Sequence, residues 1–238
     1  LIFIPAMIYS SFKSGRNQEF DTGFSLDSSH FRPVGGALCV LLAVVSTLAL
    51  NFIATFFISL LPPMPQWLED ALNSMTQGNF WMNLVSVSVF APLFEEWLCR
   101  GIVLRGLLNH RRDDGSTMHP AAAIAISAIF FAVIHLNPWQ AIAAFLLGCL
   151  FGFVYWKTGS LKLTMLMHCA NNTFALILAQ IPSLKDVEDW RTVMSSGAFI
   201  VCFAICLLLT ALTVYEFNRI HNSRRGNCDA LEPLFPQE

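Results

Sequence analysis

Long apolar stretches without charged residues alternate with short polar connections along the chain. Asp, Glu, Lys and Arg are absent from residues 33–68, 71–94, 115–156, 163–184 and 192–215. A membrane-spanning helix needs about 20 apolar residues, so each stretch can hold one span and the third can hold two. The pattern predicts six spanning helices, preceded by a partial one at Leu1–Tyr9: Val34–Leu61, Phe80–Leu108, Pro120–Leu136, Trp139–Trp156, Leu163–Ile181 and Ser195–Phe217.

Composition agrees with this pattern. Apolar residues make up 55% of the 238 residues and charged residues only 13%, and the mean hydropathy is +0.57. Soluble domains carry about 25% charged residues, so an ordinary soluble protein is excluded. The net charge of −2 argues against nucleic acid as a partner. We predict an all-α polytopic bundle of six to seven spans in a lipid bilayer, forming one membrane domain over residues 1–238 with a motif-bearing core at 80–181.

The charged residues of the connections predict an orientation. Lys and Arg are concentrated in residues 10–33, 109–119, 157–162 and the tail 218–238, whereas the alternating connections carry few or offset them with acidic residues. By the positive-inside rule, the basic set is cytoplasmic, including the C-terminal tail. The short loops favour a bacterial cytoplasmic membrane. Gly148 and Gly152 also have a GxxxG spacing, which predicts close helix packing within the chain.

Two adjacent glutamates, Glu95 and Glu96, lie inside the predicted span Phe80–Leu108. An acidic side chain at the bilayer centre costs about 2.5–3.5 kcal/mol on insertion scales, so each needs a partner or a function. Arg100 follows Glu96 by four residues on the same helix face, whereas Glu95 points about 100° away. The spacing predicts a Glu96–Arg100 ion pair and leaves Glu95 as a candidate general base. The alternative is an ion cluster that only fixes helix packing.

His135, His168 and Asn172 are further polar residues of apolar spans. His168 and Asn172 are four residues apart, so one helix face carries both. At 1.5 Å per residue, Glu95 and His168 lie about 8 Å and 9 Å from the inner face of a core about 30 Å thick. His135 comes out about 22 Å from that face, unless its helix starts outside the membrane, tilts or ends early. Hydrogen bonding between helices is the alternative role for these residues.

Three short motifs occur in order on three separate predicted spans. They are Glu95-Glu96-Trp97-Leu98-Cys99-Arg100, Phe131 to His135, and His168 to Asn172, with Phe145 to Gly148, Gly152 and Thr158 to Leu161 between the last two. Together they resemble the EExxxR, FxxxH and HxxxN motifs of the CAAX prenyl endopeptidase and bacteriocin-processing (CPBP) family, also called Abi. The resemblance covers roughly residues 91–175.

This resemblance implies a glutamate-dependent intramembrane protease that acts on a membrane-associated protein or peptide, such as a prenylated CAAX tail or a secreted peptide. By position, Glu95 would activate the water and His135 would assist. Hydrogen bonds to the oxyanion are worth roughly 3–4 kcal/mol per donor in a dry site. Glu96 and Arg100 would orient Glu95. His168 and Asn172 would stabilise the oxyanion. No cofactor is expected.

Two alternatives use the same polar residues. Glu95, His135 and His168 could instead be the three protein ligands of a catalytic zinc ion. The chain lacks an HExxH motif, and Asn172 would be an unusual zinc ligand. Both points favour the metal-free mechanism. Buried ionisable residues are also typical of transporters and proton relays, and a non-catalytic scaffold would use them only for packing. The chain has no internal repeat, which argues against a transporter.

Overall fold

The computed structural model describes residues 26–76, 78–110, 115–181, 183–184, 187 and 189–220. Within these residues the chain forms seven helical elements and no β-strand. The helices are α1 (Gly36–Ile58), α2 (Gln66–Thr76), α3 (80–109), α4 (Pro120–Val133), α5 (Pro138–Thr158), α6 (Leu161–Leu178) and α7 (Ser196–Asn218), and a short 3₁₀ turn, Trp190–Thr192, precedes α7.

Helix α3 is a continuous run that changes its winding four times. It consists of α-helical Phe80–Val85, π-helical Ser86–Phe90, α-helical Ala91–Glu96, π-helical Trp97–Leu104 and α-helical Arg105–Asn109. The N–H groups of Ala91 and Arg105 donate to carbonyls five residues earlier, which is the hydrogen bond of a π-helix. Such π segments are frequent at functional sites, and the motif glutamates lie between these two.

The predicted membrane bundle is confirmed. Three helices, α1, α5 and α7, are long and apolar enough to cross a membrane, and α4 is a shorter apolar helix. The six predicted spans correspond to α1 and α3–α7, while the predicted partial span Leu1–Tyr9 lies outside the described residues. Helix α2 was not predicted, since it lies in a connection that carries Glu69 and Asp70. It packs extensively against no other described helix.

Helix α5 is central to the packing. It contacts α1, α3, α4, α6 and α7, and it packs most extensively against α4. A Cβ atom added at Gly148 would lie 3.1 Å from the Ala128 Cα atom, and one at Gly152 would lie 3.0 Å from Ile124. The predicted GxxxG packing is therefore present within the chain, between α4 and α5.

The end of α4 differs from the prediction. The span was expected to reach Leu136, but the helix ends at Val133. Leu136 has a positive φ of 56°, and the side chain of Asn137 caps α5 by accepting a hydrogen bond from the Gln140 N–H at 2.8 Å. Pro138 then occupies the first turn of α5, where its missing N–H is tolerated. The chain therefore reverses direction directly after His135.

Candidate intramembrane active site

Three helices bring the predicted motif residues to one place. Helix α3 supplies Glu95 and Glu96, the turn after α4 supplies His135, and α6 supplies His168. The ring of Phe131 lies between the two imidazoles, with centroid distances of 4.9 Å to His135 and 5.4 Å to His168 in edge-to-face geometry. The two histidines, 33 residues apart in the sequence, therefore share one aromatic neighbour.

The predicted ion pair between Glu96 and Arg100 is present and fully buried. Arg100 Nη1 donates to Glu96 Oε1 at 2.9 Å, and both side chains are 0% exposed. Arg100 Nη2 also donates to the backbone oxygen of Gly148 at 3.0 Å. Its guanidinium lies 4.7 Å from the centroid of the Phe131 ring and 5.3 Å from that of Phe151. These contacts compensate part of the desolvation cost that burying two charges carries.

His168 lies between the two motif glutamates. Its Nδ1 is 3.1 Å from Glu96 Oε1, and its Nε2 is 3.8 Å from Glu95 Oε2. A carboxylate oxygen accepts hydrogen bonds, so Glu96 fixes the proton of His168 on Nδ1 and directs Nε2 toward Glu95. A carboxylate that orients an imidazole toward a reacting group is the arrangement of the catalytic triads. Glu95 is 20% exposed, unlike the fully buried Glu96.

His135 is oriented by its own helix. Its Nδ1 lies 2.7 Å from the Phe131 carbonyl, which can only accept, so Nδ1 carries the proton and Nε2 is the accepting nitrogen. The two imidazoles lie closer together than the expected difference in depth of about 13 Å, because both ring centroids are within 5.4 Å of the centroid of the Phe131 ring.

Asn172 contacts the backbone of α3. Its Nδ2 donates to the Val87 carbonyl at 2.9 Å, and its Oδ1 accepts from Asn171 Nδ2 at 3.2 Å. Asn171 in turn accepts from Asn51 Nδ2 at 2.7 Å. Asn51 and Asn171 were not among the predicted site residues.

Comparison with protein families assigns the segment that carries this site. The model for the family described as type II CAAX prenyl endopeptidase Rce1-like matches residues 77–174. This part of the chain is similar to the CAAX prenyl endopeptidase family. The matched residues include α3 to α5, most of α6 and all six predicted site residues. No curated protein and no solved structure matches the chain significantly.

The similarity to the CAAX prenyl endopeptidase family and the three long apolar helices indicate an integral membrane protein. Helices α1 and α7 lie outside the matched segment but pack against it. Helix α1 packs on α5 and α6, and helix α7 packs on α5. Asn51 belongs to α1, outside the family match. It is linked to the site residue Asn172 by its hydrogen bond to Asn171. A polar residue on the apolar helix α1 was the signal that could have identified it.

A catalytic zinc ion would need three of these side chains as ligands. Among the described residues, no group of three His, Cys, Asp or Glu side chains is arranged to hold a metal ion. The Nδ1 atoms of His135 and His168 are already hydrogen-bonded to a carbonyl and a carboxylate. The two Nε2 atoms, the Glu95 carboxylate and Glu96 Oε2 remain as possible ligands, and they would have to rearrange around the ion.

Proposed function

We propose that the protein is an intramembrane endopeptidase that cleaves a CAAX-type, membrane-associated peptide, with Glu95 as the general base. The observation that carries this proposal is the placement of His168 between Glu96 and Glu95, inside the segment that matches the family. A carboxylate, a directed imidazole and further hydrogen-bond donors are sufficient for peptide hydrolysis through an activated water.

In the proposed reaction, Glu95 takes a proton from a water held between its carboxylate and the accepting Nε2 of His135. The water oxygen attacks the carbonyl carbon of the scissile peptide bond, and the carbonyl oxygen becomes an oxyanion. When the tetrahedral intermediate collapses, the carbon–nitrogen bond breaks and Glu95 returns the proton to the leaving amine. A base that later acts as an acid in this way is usual in proteases.

The oxyanion needs donors that are already in place. His168 would donate to the oxyanion from Nε2, while its Nδ1 stays hydrogen-bonded to Glu96. Asn172 would donate the second N–H of Nδ2, because the first is bonded to Val87. Removal of one such donor typically lowers kcat by about 10²–10³. In this proposal Glu96 and Arg100 act on His168 rather than orienting Glu95 directly.

The decisive experiment is cleavage of membrane peptides by purified protein in liposomes. Glu95→Gln keeps the size of the side chain but cannot take the proton, so we expect it to abolish cleavage. Glu69→Gln on the exposed helix α2 is the matched control and should cleave as the wild type does. A panel of prenylated and unprenylated peptides would show whether the lipid is required.

Each of the alternatives gives a different result in that assay. If a strong chelator abolishes cleavage and zinc restores it, then Glu95, His135 and His168 are metal ligands. If Glu95→Gln cleaves normally, the glutamate mechanism is wrong. Failure of the folded wild type to cleave any peptide of the panel would favour a scaffold or transporter.

Orientation and location stay predictions. We propose one membrane domain in a bacterial cytoplasmic membrane because the loops are short, and a cytoplasmic C-terminal tail because the basic connections alternate with those poor in Lys and Arg. A tag placed after residue 238 should be digested by protease in inverted vesicles and protected in intact spheroplasts. Digestion in spheroplasts would reverse the proposed orientation.

A further inference from the structure

The hydrogen bond from Asn172 to Val87 has a cause in the sequence of α3. In a helix, the Val87 carbonyl would accept from the N–H of residue 91 or 92. The Ala91 N–H donates instead to the Ser86 carbonyl, and Pro92 has no N–H to donate. The Val87 carbonyl therefore lacks a partner within its own helix, and the Asn172 side chain supplies one at 2.9 Å.

This backbone carbonyl sets the direction of a chain of three side-chain amides. Because a carbonyl can only accept, Asn172 must turn its Nδ2 toward Val87 and its Oδ1 toward Asn171. Asn171 must then donate to Asn172, which turns the Oδ1 of Asn171 toward Asn51. Asn51 Nδ2 completes the chain with the shortest of the three bonds, at 2.7 Å.

We infer that Asn51 is a positioning residue that orients the Asn172 amide through Asn171. The inference rests on the proposed function, because it concerns the N–H that Asn172 would offer to the oxyanion. Without the Asn51 donor, Asn171 can rotate and present its own donor elsewhere, and Asn172 is then held only by Val87. A small misplacement of a donor weakens its hydrogen bond to the transition state more than substrate binding.

Kinetic measurements on variants of Asn51 test this inference. Asn51→Leu keeps the volume of the side chain but removes the donor, and we expect kcat to fall about 10-fold with KM changed less than about twofold. Asn51→Gln retains an amide donor and should restore part of the lost kcat. The matched control is Thr55→Val, one turn later on α1, since that hydroxyl bonds only to the carbonyl of Phe52 in its own helix. It should not change kcat.

A double variant separates positioning from packing. If Asn51 acts through Asn172, Asn51→Leu should cause no further loss of kcat in the Asn172→Ala background. A full additional loss in that background, or an unchanged kcat of Asn51→Leu in the wild type, would overturn the inference while leaving the proposed protease intact.

Thermal unfolding provides a readout that does not depend on cleavage. If the wild type shows no Glu95-dependent cleavage, the proposed function fails, but the amide chain can still be judged from its coupling. Asn51→Leu and Asn172→Ala should then lower the Tm by less together than the sum of their separate effects. Additive changes in Tm would show that the two residues are independent and would refute the coupling through the chain of amides.

Discussion

Replacing Arg100 with methionine should destabilise the protein strongly, because it leaves the buried Glu96 without a counter-ion. Arg100→Met keeps most of the aliphatic volume of the side chain between Phe131 and Phe151. It removes the bond to Glu96 Oε1 at 2.9 Å and the bond to the Gly148 carbonyl at 3.0 Å. The substitution therefore tests charge compensation with little change in packing.

The magnitude follows from the burial of both partners. Removing one partner of a buried ion pair typically costs about 3–5 kcal/mol, because the remaining charge stays desolvated. Two further atoms, Glu96 Oε2 and Arg100 Nε, have no hydrogen-bond partner in the described part of the chain. Once Arg100 is gone, the described contact that still supports the Glu96 carboxylate is the hydrogen bond from His168 Nδ1 at 3.1 Å, and we expect a loss of about 3–5 kcal/mol in the free energy of unfolding.

Denaturant titration in mixed micelles measures this loss. Arg219→Met is the matched control, because Arg219 forms an ion pair with Glu216 at 2.7 Å but is 50% exposed. An exposed pair contributes at most about 1 kcal/mol, so this control should change stability little. In Glu96→Gln/Arg100→Met the uncompensated charge is absent, and we expect at least about 1 kcal/mol to be regained. If Arg100→Met costs less than about 1 kcal/mol, or if the double variant regains nothing, charge burial does not govern this site.

Three further predictions concern packing, the loop before α7 and α2. Gly148→Val should lower stability by about 1–3 kcal/mol, because the new side chain meets the backbone of α4, whereas Gly197→Ala has open space and should leave the Tm unchanged. A hydrogen bond from Arg191 lowers the pKa of the Asp189 carboxyl. The small stabilisation from this hydrogen bond is complete above pH ~3.9, the ordinary pKa of an aspartate, and is lost as the pH falls through the lowered pKa of Asp189. Asp189→Asn should remove that acid-side decline in a Tm-against-pH profile, and an unchanged profile would contradict this. Trp67 is 71% exposed on α2, and brominated lipids should quench its fluorescence if α2 lies on the membrane surface.

The helices and the ion pair could be predicted from local features of the sequence. Charge-free stretches mark the spans, and the four-residue spacing of Glu96 and Arg100 places the two side chains on one helix face. Helix α2 could not be found in this way, because its charged residues interrupt the apolar pattern and it is shorter than a span.

Contacts between distant parts of the chain could not be predicted. Asn51 and Asn171 are 120 residues apart, and only the packing of α1 on α6 brings them together. Sequence periodicity also misses the π segments of α3, because they are only 5 and 8 residues long. Pro92 was the local signal, since a proline inside a helix removes a donor and frees a carbonyl.

Gly148 connects the packing of the bundle with the chemistry of the site. The absence of a side chain lets α4 and α5 approach closely, with Ala128 against the glycine. The same residue offers its carbonyl to Arg100, which holds Glu96, and Glu96 fixes the proton of His168. A larger residue at position 148 would therefore separate two helices and also shift the group that orients the imidazole. Loss of stability and loss of activity should consequently occur together at this position, whereas Glu95→Gln should affect activity alone.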